Sequence, residues 1–272
     1  MSSSLPADTH IGAVHLRVHD LEKLVTFYRE VLGFSVVGED GATAALGVVD
    51  ERPLLVLHET PHAPSRPPGT TGLFHVAFRM PTRVDLGAMV LRVRNQKRPF
   101  QGFGDHNVSE AAYLSDPEGN GIELYADRSR EVWHSVEGDV FMTTEPLDLP
   151  GLLMAAEAPA PALPPGAVVG HVHLRVSSLE AAEGFYAGRM GFNVTTRGYP
   201  GALFLAAGDY HHHIGCNVWG ESTPRHPPEG SLGLISFDVI VPDGEERRRL
   251  LGSSDEGLLL DADDIGVRVA RG

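Results

Sequence analysis

The chain of 272 residues has a single cysteine, Cys216. That excludes an internal disulfide and sets the expectation of a reducing, cytoplasmic setting. Basic residues are also few: 22 Lys and Arg stand against 36 Asp and Glu, for a formal net charge of −14. A phosphate surface would repel such a molecule, so nucleic acid is not an expected partner. No apolar run approaches the ~20 residues of a membrane span. The opening MSSSLPADTH has neither the basic nor the apolar segment of a leader, so no membrane association is expected. What remains, 42% hydrophobic and 21% charged residues, is a globular composition with length for two cores. Histidine is plentiful at fourteen, which turns any metal chemistry toward imidazole and carboxylate ligands.

The chain repeats itself. Residues 11–37 read IGAVHLRVHDLEKLVTFYREVLGFSVV, and residues 169–195 read VGHVHLRVSSLEAAEGFYAGRMGFNVT. The common skeleton has no insertion across that length, so the chain is a duplication. Between the copies MAAEAPAPALPPG suits an extended connector.

Each copy opens on an alternating strand. Val14, Leu16 and Val18 fall on one face, His15 and Arg17 on the other. Leu21, Leu24, Val25 and Tyr28 then recur at helical spacing, and Gly33 ends the helix. Three strands follow in GFSVVGE, GATAALG and PLLVLHE. A second β-α-β-β-β unit begins at GLFHVAFRM and closes on AAYLSD and GIELYAD. The expected fold is α+β. Four βαβββ modules pair into two domains, each a curved mixed sheet forming a cup. Modules 9–60 and 70–130 would make a first domain, 9–130. Residues 131–166 would connect it to a second, 167–272, with modules 167–220 and 231–272.

Three residues of the first half project from the face opposite the aliphatic layer. His15 lies between Val14 and Leu16, His75 between Phe74 and Val76, and Glu123 between Ile122 and Leu124. Each alone is an ordinary residue: a hydrogen-bonded core histidine, or a solvated strand glutamate. Together, at corresponding places in β units, two histidines and a carboxylate have the composition of a non-haem iron(II) facial triad. The expected metal ligands are therefore His15, His75 and Glu123. A divalent cation would also offset the cost of a carboxylate inside a cup.

Residues 104–123, GDHNVSEAAYLSDPEGNGIE, surround the last of these, with Asp116 to Asn120 reading as a tight hairpin turn. Here the chain resembles the type I extradiol ring-cleavage dioxygenases of the vicinal-oxygen-chelate superfamily, the catechol 2,3-dioxygenase-like proteins. His106, Tyr113, Asp116, Pro117, Gly119 and Glu123 match their signature. Ala112, where a larger aliphatic is usual, departs from it. The resemblance implies iron(II) on the three ligands, with manganese, zinc or nickel as alternatives, and a small aromatic diol and O2 as substrates. It also implies a homo-oligomer. His106 and Tyr113 would hydrogen-bond the bound substrate or an oxygen-derived intermediate. The resemblance further implies an acid–base histidine on the last strand of the first module, shortly before the second metal ligand, where His58 stands, with His62 as competitor. His58 read by itself is a solvated strand-end histidine.

Two other readings stay open: a glyoxalase-like lyase, isomerase or transferase, which would need a fourth protein ligand, and a non-catalytic binder. The second half departs from the pattern. His173 aligns with His15, but Ser236 aligns with His75 and Arg268 with Glu123. One metal site, in the N-terminal half, is expected. The run His211, His212, His213 reads as a hydrogen-bonded structural cluster or a surface run, with a second metal site as the alternative.

Overall fold

The computed structural model describes residues 4–220, 224–252 and 257–272. The first module is β1 (His10–Val18), α1 (Leu21–Glu30), β2 (Ser35–Asp40), β3 (Thr43–Gly47) and β4 (Pro53–Glu59). The second is β5 (Gly72–Arg79), α2 (Arg83–Asn95), β6 (Gly102–Asp105), β7 (Ser109–Ser115) and β8 (Gly121–Asp127). A short hairpin, β9 (Ser135–Val136) with β10 (Asp139–Val140), and α3 (Leu149–Ala155) follow. The third module is β11 (Val168–Arg175), α4 (Leu179–Glu183) continued by a π-helical turn, β12 (Asn193–Thr196), β13 (Ala202–Ala206) and β14 (Ile214–Asn217). The fourth is β15 (Gly233–Val241), α5 (Gly244–Leu251), β16 (Leu258–Leu260) and β17 (Gly266–Arg271).

The elements form where the local chemistry puts them. The side chain of Asp20 accepts from the Lys23 amide and starts α1, and Thr82, Ser178 and Asp243 do the same for α2, α4 and α5. Val14, Leu16 and Val18 are fully buried against Leu24, Phe27 and Tyr28 of α1. Burial of each such side chain contributes about 1.5–3 kcal/mol.

Besides the β9–β10 hairpin, two large sheets form among the described residues, and their membership corrects the expected domains. β16-β17-β15-β1-β4-β3-β2 is one sheet, and β12-β13-β14-β11-β5-β8-β7-β6 is the other. The first module thus shares a sheet with the fourth and the second with the third. β1 runs antiparallel to β15, and β5 antiparallel to β11 with His75 opposite His173. The units 9–130 and 167–272 do not each close a cup. Alternation along a strand fixes which face is apolar; it leaves open which copy occupies the strand's free edge.

Consecutive modules are tied in another way. The Tyr28 hydroxyl of α1 donates to Asp116 Oδ2, in the turn before β8, at 3.2 Å. Its counterpart Tyr186 donates to Asp261 Oδ2, in the turn before β17, at 2.8 Å. Sheets therefore join modules crosswise, while helix-to-turn bonds join them in chain order. The connector 131–166 is also more structured than its composition suggests. Arg92 of α2 donates to the carbonyls of Arg29, Glu30, Val31, Ala160 and Pro161, which seats the connector's end beside α1.

Candidate metal centre

The eight-stranded sheet curls around a cavity of about 480 Å³, lined by residues of the second and third modules and of the connector. On its floor three donors converge. His75 Nε2 lies 2.9 Å from Glu123 Oε2, and His171 Nε2 lies 3.2 Å from the same oxygen. These ligand atoms lie within 4.8 Å of one another, and all three residues are buried. His75 and Glu123 are thus brought together as expected, but the second histidine is His171 and not His15.

His15 belongs to the other sheet. Its Nδ1 is 3.2 Å from His58 Nε2, and its Nε2 is 3.4 Å from Asp238 Oδ1. The expected triad of His15, His75 and Glu123 is corrected on that ground, as is the expected place of His58 in the same site. Neither residue lines the cavity. The reason is positional. His75 stands seven residues before the N-cap Thr82, and His171 seven before Ser178. Seven before Asp20 is Ala13, and seven before Asp243 is Ser236. Measured from the helix, His15 corresponds to Ala77 and His173, two residues further along the strand. The Gly-His-Val of residues 170–172 carried this signal in the sequence, and the more eye-catching Val-His-Leu shared by both copies concealed it.

The closing strands can be compared in the same way. Across each parallel pair, Glu123 sits beside Ala77, Val56 beside His15, Gly215 beside His173, and Arg268 beside Asp238. The place in the third module that answers to Glu123 is thus a glycine. A Cβ on Gly215 would stand 2.9 Å from His173 Nδ1, so the missing side chain makes room for that imidazole.

The electrostatics suit a cation. Burial pushes the Glu123 carboxyl up, but His171 and His75 outweigh it and hold the group well below the usual range. Burial lowers His171 to about 4 against the opposing pull of Glu123. The donor set is an ionised carboxylate with a neutral imidazole beside it, the protonation that divalent-metal binding requires. The buried Nε2 atom of His75, though 2.9 Å from Glu123 Oε2, makes no well-aligned hydrogen bond to it, which fits two ligand atoms turned toward a common cation.

Around the triad the second and third modules supply further polar groups. The His106 Nδ1 donates to the Thr143 carbonyl at 2.7 Å, which in the neutral ring leaves Nε2 to accept from the Tyr113 hydroxyl, also at 2.7 Å. Burial, then the Glu123 charge, pushes the Tyr113 phenol well up. Gly104 allows the arrangement, since a Cβ there would lie 2.9 Å from His106 Nε2. His106 and Tyr113 both line the cavity, and so does His212, whose ring lies 4.1 Å from that of His171. In the sequence His212 reads as one of a run that is a structural cluster, a surface run or, as the alternative, a second metal site. Its signal was its place just ahead of β14, the last strand of the module that supplies His171.

Comparison with known proteins agrees with this architecture. Residues 10–124 match the family model of the Glyoxalase/Bleomycin resistance protein/Dioxygenase superfamily. A catechol-2,3-dioxygenase of Bacillus subtilis (strain 168) is 43% identical over 250 residues, covering 90% of this chain and 87% of that protein. The chain belongs to this superfamily, among its catechol 2,3-dioxygenase-like members. A biphenyl-2,3-diol 1,2-dioxygenase of Rhodococcus globerulus is 34% identical over 114 residues, 41% of this chain and 60% of that one. Two solved structures share the superfamily fold. A candidate dioxygenase of Bacillus subtilis superposes with a TM-score of 0.68 at 13% identity, over 99% of this chain and 86% of that one. Glyoxalase I of Zea mays superposes with a TM-score of 0.59 at 15% identity, over 97% and 92%. The superfamily thus spans ring-cleaving and glyoxalase chemistry on one scaffold, and the ligand set has to separate them.

Proposed function

We propose that the protein is an iron(II)-dependent extradiol dioxygenase that opens the ring of a catechol-type aromatic with O2. The observation that carries this reading is the three-donor set His75, Glu123 and His171 with a glycine, Gly215, where a fourth donor would stand. A glyoxalase-like isomerase would use that fourth ligand. Three protein ligands on one face leave adjacent positions for a diol and for dioxygen. Iron(II) held there supplies the electron path between an aromatic diolate and O2, and a template that fixes both.

The chain's own residues do the rest. Phe74, Val108, Met142, Phe204 and Trp219 give the cavity apolar and aromatic walls that receive a flat ring and exclude water. His212, on the His171 side, takes the proton that a diol loses on binding. Tyr113, its hydroxyl proton committed to His106 Nε2, stands on the other side and offers its oxygen as a hydrogen-bond acceptor. This gives His212 the acid–base part expected of His58, and leaves His106 and Tyr113 with the parts the resemblance implied.

The test is anaerobic loading with Fe(II), then addition of catechol and simple alkyl catechols, then air. The expected outcome is oxygen uptake matched one to one by a yellow ring-fission product. Oxygen consumption without ring opening, or no turnover of any diol by iron-replete protein, would refute the reading.

A further inference from the structure

His212 is the inner member of a chain of groups that leaves the cavity. Its Nδ1 is 2.7 Å from His211 Nδ1, and His211 Nε2 is 2.9 Å from Asp127 Oδ1. His211 is fully buried, and Asp127, at the end of β8, also accepts from the Tyr210 hydroxyl at 3.1 Å and from Arg79 at 3.2 Å.

The donor and acceptor inventory decides where each proton sits. Asp127 is ionised: burial pushes its carboxyl up, but His211, Arg79 and Tyr210 outweigh this and hold it below the usual range. An ionised carboxylate only accepts, so His211 carries its proton on Nε2. In the neutral ring Nδ1 then keeps its lone pair, which requires His212 to donate from its own Nδ1. The nitrogen left to His212 for the cavity is Nε2, with its lone pair free.

We propose that Asp127, acting through His211, positions His212 and fixes the tautomer in which Nε2 can accept a proton in the cavity. Asp127 and His211 are positioning residues; neither lines the cavity. The use of His212 as a base rests on the dioxygenase reading, but its tautomer does not.

Asp127→Asn is the sharpest perturbation. The amide must turn one oxygen and one NH2 toward Arg79 and His211. Arg79 is a donor in every protonation state and takes the oxygen. His211 therefore meets an NH2, accepts on Nε2, and moves its proton to Nδ1. His212 must then accept on Nδ1 and carry its proton on Nε2. An aspartate that orients a catalytic histidine in a serine protease behaves alike, since its conversion to asparagine installs the wrong tautomer.

The experiment is long-range 1H–15N correlation on metal-free full-length protein with 15N-labelled histidine, with His212 assigned by its loss in His212→Gln. The wild type is expected to show the His212 proton on Nδ1, and Asp127→Asn to show it on Nε2. In Asp127→Asn, kcat for a catechol should fall on the order of 10–100-fold, as for other outer partners of site residues, with KM unchanged. His211→Asn places an amide oxygen near the former Nδ1. It should keep the proton on His212 Nδ1 whether residue 127 is Asp or Asn. A wild-type His212 protonated on Nε2, or an Asp127→Asn protein that keeps the wild-type pattern, overturns the proposal. So does a His211→Asn protein that shifts the proton as Asp127→Asn should. A tautomer swap in a protein that turns over no diol would uphold the positioning and sink the dioxygenase reading alone.

Discussion

Replacing His171 and His15 separately by alanine sets the cavity-floor site against the one suggested by the sequence. His75 Nε2 and His171 Nε2 lie 2.9 and 3.2 Å from a single Glu123 oxygen, so in the proposed site His171→Ala leaves two protein donors where three would hold the ion. Loss of an outer partner alone costs 10–100-fold in affinity, so loss of a ligand should cost at least about 100-fold, or about 2.7 kcal/mol. His15 bonds to His58 and lies beside Asp238 on the other sheet, so its removal should leave affinity within about twofold. The assay loads each protein with Fe(II) without oxygen, desalts it, and measures iron per chain with the rise in melting temperature on metal addition. At free metal about 100 times Kd, the wild type gains about 2.7 kcal/mol, and a variant weakened 100-fold gains only about 0.4 kcal/mol. His15→Ala should behave as wild type; His171→Ala should retain no iron. The reverse result, with iron lost from His15→Ala and kept by His171→Ala, would refute the assignment and the crosswise pairing behind it.

Two further outcomes follow from the same geometry. Because burial lowers His171 to about 4 and the histidines hold Glu123 well below its usual range, both ligands are already deprotonated at pH about 6. Metal binding there should release fewer than two protons per ion, measured by calorimetry in buffers of different ionisation enthalpy; two or more would contradict the site's protonation. Tyr28→Phe removes a buried donor from Asp116, and a hydrogen bond to a carboxylate contributes about 1.5–3 kcal/mol, so the urea midpoint should fall accordingly with iron content unchanged. An unchanged midpoint would show that the tie between the first and second modules contributes nothing.

Much of the fold was legible because it is written in local patterns. The duplication, the alternation of Val14, Leu16 and Val18, and the caps at Asp20 and Thr82 specify four modules whatever their partners. Pairing was not legible in the same way, since the edge of β1 can accept any copy of a first strand. Two of the three candidate donors, His75 and Glu123, were legible in the sequence, the glutamate because it follows a turn whose Asp116 caps the amides of Glu118 and Asn120. The third, His171, was missed through a frame error of two residues. Such a shift keeps a side chain on the same face of a strand, so alternation could not detect it. His212 failed for a different reason: the histidine run precedes β14, where strand alternation does not apply, and only the folded cavity shows that His212 is the member that lines it.

Counting from the helix caps points to the pairing as well as to the candidate donors. The position seven residues before each cap holds Ala13, His75, His171 and Ser236 in the four modules, and the closing-strand position holds Val56, Glu123, Gly215 and Arg268. If consecutive modules shared a sheet, the first cup would offer His75 and Glu123 alone. The second would offer His171 beside an arginine, and neither could hold a divalent ion by three protein ligands. Only the union of the second and third modules gathers both histidines with the glutamate. A chain that keeps a buried glutamate, two histidines at matched places and a glycine opposite them has its topology constrained by its chemistry. The first and fourth modules, freed from ligation, keep Ala13 and Val56 where a donor would stand and put Arg268 where the second module has its glutamate. The duplication thus left the proposed three-donor set in one cup, and among the described residues no equivalent set in the other.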